Sequence, residues 1–312
     1  LNGATDAEAT ASGGVITVSG EVGASIVATL TGVGGVVTKT VTGTGSSQAV
    51  VLTSSEVVAI GEGPVSYSVV QTDEAGNLQT ADATTGTFEI DTVAPSAPTV
   101  ALGTGVLNGA TDAEATASGG VITVSGEDGA SIVATLTGVG GAVTKTVAGT
   151  GTSQAVVLNS TEVDTLGEGS VSYSIAQTDA AGNAQSADAT SGTFEIDTLI
   201  AVPTIDAIGI DDIANAAEAA LGFNITGTGE VGATVTLTFA SSATLAGGNI
   251  VVVGLDGTWS AAVGAADLTA MGEGAEIITA IQVDVAGNIS AASAESTLEI
   301  DTLLPSAPTV AL

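Results

Sequence analysis

Residues 1–92 recur at 107–198 with no gaps: 16 of the 92 aligned positions differ and 76 are identical. A third, diverged copy is registered by Phe88-Glu89-Ile90-Asp91-Thr92, Phe194-Glu195-Ile196-Asp197-Thr198 and Leu298-Glu299-Ile300-Asp301-Thr302, with Asp spacings of 106 and 104. A period near 105 residues exceeds the roughly 20–50 residues of a solenoid turn and suits a small independent domain. The chain therefore divides into a first repeat at 1–92, whose opening strand is missing, a second at 93–198 and a diverged third at 199–302. Residues 303–312 read as a linker and the first strand of a further repeat.

The second copy is the most complete. Pro95-Ser96-Ala97-Pro98 suits a linker and a protected edge strand. Alternating, β-branched segments follow at 99–102, 121–125, 131–136, 143–147, 154–158, 171–176 and 192–197, with Gly-rich turns between them. Residues 108–114 read as a polar loop, and 160–167 as one or two helical turns, with Ser or Thr as cap and Gly167 at the end. About seven short strands at this spacing predict an all-β fold: tandem Ig-like antiparallel β-sandwiches, arranged as an extended rod.

Composition limits the function. The chain carries 34 acidic and 2 basic residues, with no His and no Cys; its cations are Lys39 and Lys145, one position in two copies. Nothing supplies the basic patch that nucleic acid or an anionic membrane surface requires. No apolar run reaches the roughly 18 residues of a membrane-spanning helix, so no membrane insertion is expected. Absence of His and Cys removes the usual nucleophilic triads and argues against an enzyme. Apolar residues make up 44%, which is incompatible with a disordered acidic chain.

Asp-x-Ala-Gly-Asn, followed after about ten residues by Phe/Leu-Glu-Ile-Asp-Thr-x-x-Pro, resembles the bacterial Ig-like repeats of giant RTX-type and biofilm-associated surface adhesins. The third copy adds Gly229-Glu230-Val231-Gly232-Ala233 and Gly257-Thr258-Trp259-Ser260, also common in that family, although its linker, Leu199-Ile200-Ala201-Val202-Pro203, lacks Ser-Ala-Pro. The resemblance covers all three copies. It implies extender modules on a cell surface, with Ca²⁺ bound near domain junctions.

The carboxylates suit that implication. In an Ig-like sandwich the B–C and F–G loops lie at the end where the preceding repeat arrives. At the first junction this brings together Glu89, Asp91, Glu127, Asp128, Asp179 and Asn183; at the second, Glu195, Asp197, Glu230, Asp284 and Asn288. Glu21, Asp73 and Asn77 form the same face on the first repeat, and Asp301 closes the third. An all-oxygen, carboxylate-rich set is what Ca²⁺ prefers, and no His or Cys is present for zinc or copper. A second group, Asp6 and Glu8, Asp112 and Glu114, and Asp211 and Asp212, lies toward the opposite end of each repeat, with Glu62, Glu168, Glu218 and Glu273 as further members. The competing reading is ordinary turn chemistry, since Asp and Asn stabilise Gly-containing loops through their own hydrogen bonds.

The expected function is a structural extender of a bacterial cell-surface adhesin, extracellular, with Ca²⁺ at acidic junctions and neighbouring Ig-like repeats of the same longer chain as partners. Two alternatives stand beside it. Residues 305–312 repeat 95–102, so self-association into a filament, sheath or surface layer by strand addition is one. The other is carbohydrate binding, which would need Trp259 exposed rather than in a core.

Overall fold

The computed structural model describes residues 3–209 and 211–309. The fold is all-β, and the buried apolar residues gather into three separate cores, one for each copy of the repeat. The second copy has seven strands. Thr99–Leu102, Ile122–Ser125 and Gln154–Val156 form one antiparallel sheet, with Ile122–Ser125 central. Ala142–Ala148, Ser131–Thr137, Gly169–Thr178 and Thr190–Ile196 form the other, in that order.

Alternation decides which face of each strand is buried. Along Ser131–Thr137, Ile132, Ala134 and Leu136 are buried, while the intervening residues are exposed or half-buried. Val171, Ile175, Phe194 and Ile196 meet them from the neighbouring strands, and Val121, Ile122 and Val124 from the facing sheet. Truncating a side chain such as Leu136 to Ala would cost about 2–5 kcal/mol.

Two local expectations are corrected. The helix Ser160–Leu166 is capped by Asn159, not by Ser or Thr: its side chain accepts from Glu162 N, and Glu162 returns the bond to Asn159 N. Gly167 then ends the helix at φ 78°. Residues 108–114 are not simply a loop, because Val106–Asn108 form a 3-10 turn and Asp112–Ala115 a short α-helix capped by Thr111. The Asp-x-Glu of that helix was read for its charge, whereas Thr-x-x-Glu is a capping box.

In the first copy the strand Ile16–Val18 pairs only with Gln48–Val50 among the described residues. Val15 and Ile16 are half-buried where their counterparts Val121 and Ile122 are fully buried. The third copy distributes its strands differently. Ile213–Asn215 runs parallel to Ser296–Asp301 at the edge of a five-stranded sheet, and Phe223–Thr228 pairs with Thr258–Val263. Thr204 and Asp206 donate to Thr228 and Thr226, covering the position that Thr99–Leu102 holds in the second copy. Residues 303–309 contain no strand, and 310–312, part of the expected further strand, lie outside the described residues. No helix among the described residues is long and apolar enough to cross a membrane.

Candidate metal centre

Each copy builds the same Asp-x-x-x-Asn loop after its long central strand. Asp284 Oδ1 accepts from Gly287 N at 2.6 Å and Asn288 N at 2.8 Å, and Asp284 Oδ2 accepts from Asn288 Nδ2 at 2.8 Å. Asp179 and Asn183 repeat the arrangement, and Asn77 donates to Asp73 in the same way. The loop requires left-handed backbone at its glycine, with φ 111° at both Gly182 and Gly287.

The loop fixes an amide that reaches the preceding copy. Asn288 Nδ2 donates to Asp197 O at 2.8 Å, and Asn183 Nδ2 to Asp91 O at 2.9 Å. A buried glutamine supports the neighbouring turn. Gln282 Oε1 accepts from Glu230 N at 3.0 Å, and its Nε2 donates to Ala201 O of the linker at 2.7 Å. Gln177 links Glu127 N to Ser96 O equivalently.

At the second junction these supports bring Asp197, Glu230 and Asp284 together. One carboxylate oxygen from each lies within 4.8 Å of the others, the one such set of three among the described residues. Asp284 is buried, and Asp197 and Glu230 are half-buried. Burial and the charge of Asp284 push the Asp197 carboxyl above its ordinary range, and Glu168 and Glu195 add to the effect against a hydrogen bond from Leu199. Burial, then Asp284 and Asp197, raise Glu230 likewise, against a hydrogen bond from Ala201. The set is thus an electrostatically uncompensated group of hard oxygen donors.

The first junction is organised differently. Asp91 is half-buried and Asp179 buried, but Glu127 and Asp128 are exposed, as is Glu89. At Asp179 burial pushes the carboxyl up, but hydrogen bonds from Asn183, Gly182 and Ala181 together outweigh it and leave the group below its usual range. On the upstream face of the first copy Glu21 and Asn77 are exposed, and the bonds from Asn77 lower Asp73. Glu195 and Asp301 are exposed at the ends of their copies.

The second predicted group is put to other uses. Glu8, Glu114 and Glu218 complete capping boxes with Thr5, Thr111 and Asn215. Asp6 and Asp112 are exposed and accept from Ser54 and Ser160 at 3.2 and 3.5 Å. Asp211 Oδ1 accepts from Ile213 N and Asp212 Oδ1 from Ile208 N, at 3.3 and 2.7 Å. Glu62, Glu168 and Glu273 each bind the backbone and hydroxyl of the Thr in the Asp-Thr pair that ends the copy. Glu168 therefore stands near Asp197, at the downstream junction.

One set of residues escapes the sequence reading: Gln71, Gln177 and Gln282, visible as a repeated Gln-x-Asp. Glu62, Glu168 and Glu273 are named there as members of the second acidic group, but not as partners of the Asp-Thr pair that ends each copy. Trp259 is buried in the third core, where its Nε1 donates to Thr228 O at 3.2 Å, so it offers no aromatic platform for a sugar.

No protein-family model and no curated protein matches the chain. Among solved structures it is similar to a 1.5-MDa bacterial ice-binding adhesin, at 26% identity over 94% of this chain and 92% of that one, with a TM-score of 0.37. It is also similar to a Ca²⁺-stabilized adhesin with which an Antarctic bacterium binds ice, at 27% identity over 91% and 67%, with a TM-score of 0.36. A third is a tetra-tandem repeat from the extending region of a large adhesion protein, at 20% identity over 90% and 68%, with a TM-score of 0.31.

Proposed function

We propose that this chain is an extender segment of a bacterial cell-surface adhesin: non-enzymatic, extracellular, and made of three Ig-like sandwiches at 1–92, 93–198 and 199–302 whose junctions are stiffened by Ca²⁺. The observation that carries the reading is the Asp197–Glu230–Asp284 set, because two consecutive sandwiches supply it. Asp197 follows the last strand of the second, and Glu230 and Asp284 come from loops of the third. The donors fit a hard divalent cation, because all are oxygens and the set is anionic, as Ca²⁺ prefers.

The physical effect follows from charge. Without metal, the three carboxylates repel across the junction and favour its opening. A bound cation offsets that repulsion and ties both sandwiches to one centre, adding about 2.7 kcal/mol to the closed form at one hundred times Kd. A string of such junctions is a stiff spacer in Ca²⁺ and a flexible one without it.

Small-angle scattering in Ca²⁺, in Mg²⁺ and in chelator tests this. The expected result is a narrower, longer distance distribution in Ca²⁺ than in chelator. Superimposable profiles would remove calcium from the reading.

A further inference from the structure

Asn108 is exposed, and its side-chain amide donates across the second junction to Val285 O at 2.7 Å and Ala286 O at 3.4 Å, both in the loop that begins at Asp284. The next residue is Gly109, at φ 100°. Among the described residues no other asparagine is followed by glycine. A glycine after asparagine, having no side chain, leaves its backbone nitrogen free to approach the neighbouring side-chain carbonyl carbon.

We propose that Asn108-Gly109 is a spontaneous deamidation site whose product unlatches the second junction. The Gly109 nitrogen attacks Asn108 Cγ, closing a succinimide ring and expelling the side-chain nitrogen as ammonia. Water then opens the ring at one of its two carbonyls, leaving aspartate or isoaspartate. One water is consumed and one ammonia released, with no oxidant or cofactor.

The product cannot make the bond that the amide made. A donor facing two carbonyl oxygens becomes a carboxylate facing the same two oxygens, so attraction turns to repulsion. The new charge also joins an acidic neighbourhood, since a Cβ placed on Gly109 would lie 3.0 Å from Asp197 Cβ. The isoaspartate product lengthens the backbone by one carbon at this point as well.

Latch and reaction oppose each other, because the nitrogen that holds Val285 O is the one that leaves. Closing the junction pins Asn108 and slows ring closure, and deamidation by the same coupling disfavours closing. A carboxylate here is compatible with the sandwich itself. Parallel pairing aligns Ala110 with Ile196 and Ala214 with Ile300, which puts Asp212 of the third copy in the place of Asn108.

The test ages the full chain in warm, mildly alkaline buffer and maps its peptides by mass after cleavage at acidic residues. The expected result is a gain of about 1 Da at Asn108, divided between aspartate and isoaspartate, with Asn183 and Asn288 unchanged. In chelator, where no metal can intervene, Asn288→Ala removes a second amide bond across the junction and should speed the reaction about fivefold. In a Ca²⁺-containing sample, Asn108→Asp should broaden the distance between spin labels on Ser174→Cys and Thr238→Cys, and Asn108→Gln should not deamidate. An Asn108 that remains an amide while Asn2 of the same digest converts would overturn the proposal, as would an Asn108→Asp chain whose label distances match the parent's. Failure of the calcium reading would appear separately, as a parent chain indifferent to chelator.

Discussion

Asn288 donates its side-chain amide to the backbone carbonyl of Asp197 at 2.8 Å while also holding the Asp284 carboxylate at 2.8 Å. One residue thereby sets the position of a main-chain oxygen in the preceding repeat and of a carboxylate in its own. Since Asp197 also contributes its carboxylate to the acidic set, the amide spaces two of the three charges that face each other there.

Replacing Asn288 with Ala should therefore act on the junction rather than on either sandwich. The third core, built around Ile225, Leu237 and Trp259, does not include it. The lost bond should weaken docking by about 1–2 kcal/mol. Calorimetry should show little change in the melting of the sandwiches, while spin-label distances between the second and third repeats broaden. An unchanged distribution would show that the bond does not order the junction.

Glu230→Gln should have opposite effects with and without metal. In chelator it removes one of three crowded charges, so the junction should close more readily than in the parent. In Ca²⁺ it removes an anionic ligand, and titration calorimetry should show weaker binding. Loss of order under both conditions would mean that Glu230 serves the turn through its shape rather than its charge.

Acid should distinguish the junction from the loops. Asp197 and Glu230 have raised pKa values, so the folded junction binds protons more readily than the unfolded chain. Their contribution to stability is present below the ordinary carboxylate range and is lost as pH rises through the raised values. Asp73 and Asp179 are lowered, so their contribution is present above the ordinary range and is lost as pH falls through the lowered values. In chelator, mild acidification from neutral should first tighten the second junction, and stronger acid should then loosen the Asp-x-x-x-Asn loops. In Ca²⁺ the first step should reverse, because protons compete for the metal's ligands. Scattering across a pH series in both buffers reads the difference.

The two lysines make a separable test. Lys145 Nζ lies 2.8 Å from Glu162 with both side chains about a quarter exposed, and Glu162 also closes the cap on Asn159. Lys145→Met should cost less than about 1 kcal/mol, as half-exposed ion pairs usually do. Glu162→Ala removes pair and cap together and should cost about 1 kcal/mol more. Equal melting temperatures for the two variants would show that the cap contributes nothing.

The sandwich was legible because alternation is a local signal. Ile132, Ala134 and Leu136 are recognisable as one buried face without knowledge of what covers them. The short helix Asp112–Ala115 was missed because its acids suggested a binding loop, while the cap that organises them is the Thr111–Glu114 pair. The acids of the second junction could be named from the repeat, but not their differing roles. Whether Glu230 stands half-buried beside Asp284, or exposed as Glu127 is, depends on how the turn meets the linker, a relation that residue types alone do not encode. The crossing amides escaped for the same reason: Asn183 and Asn288 were read as possible ligands, and their backbone acceptors lie about ninety residues away.

The last strand of each repeat is flanked by that repeat's opening segment, running in the same direction. Ala4 bridges Ile90, Ala110 bridges Ile196, and in the third copy the bridge widens into a strand pair, Ile213–Asn215 against Ser296–Asp301. When tension is applied to the two ends of such a repeat, parallel neighbours are dragged lengthwise past each other. Their hydrogen bonds share the load instead of opening one at a time, as they would in a pair peeled from its end. Among the described residues the third repeat, with three paired residues where the others have one, has the longest shear seam. Under a steady pull its margin is the one that should yield last.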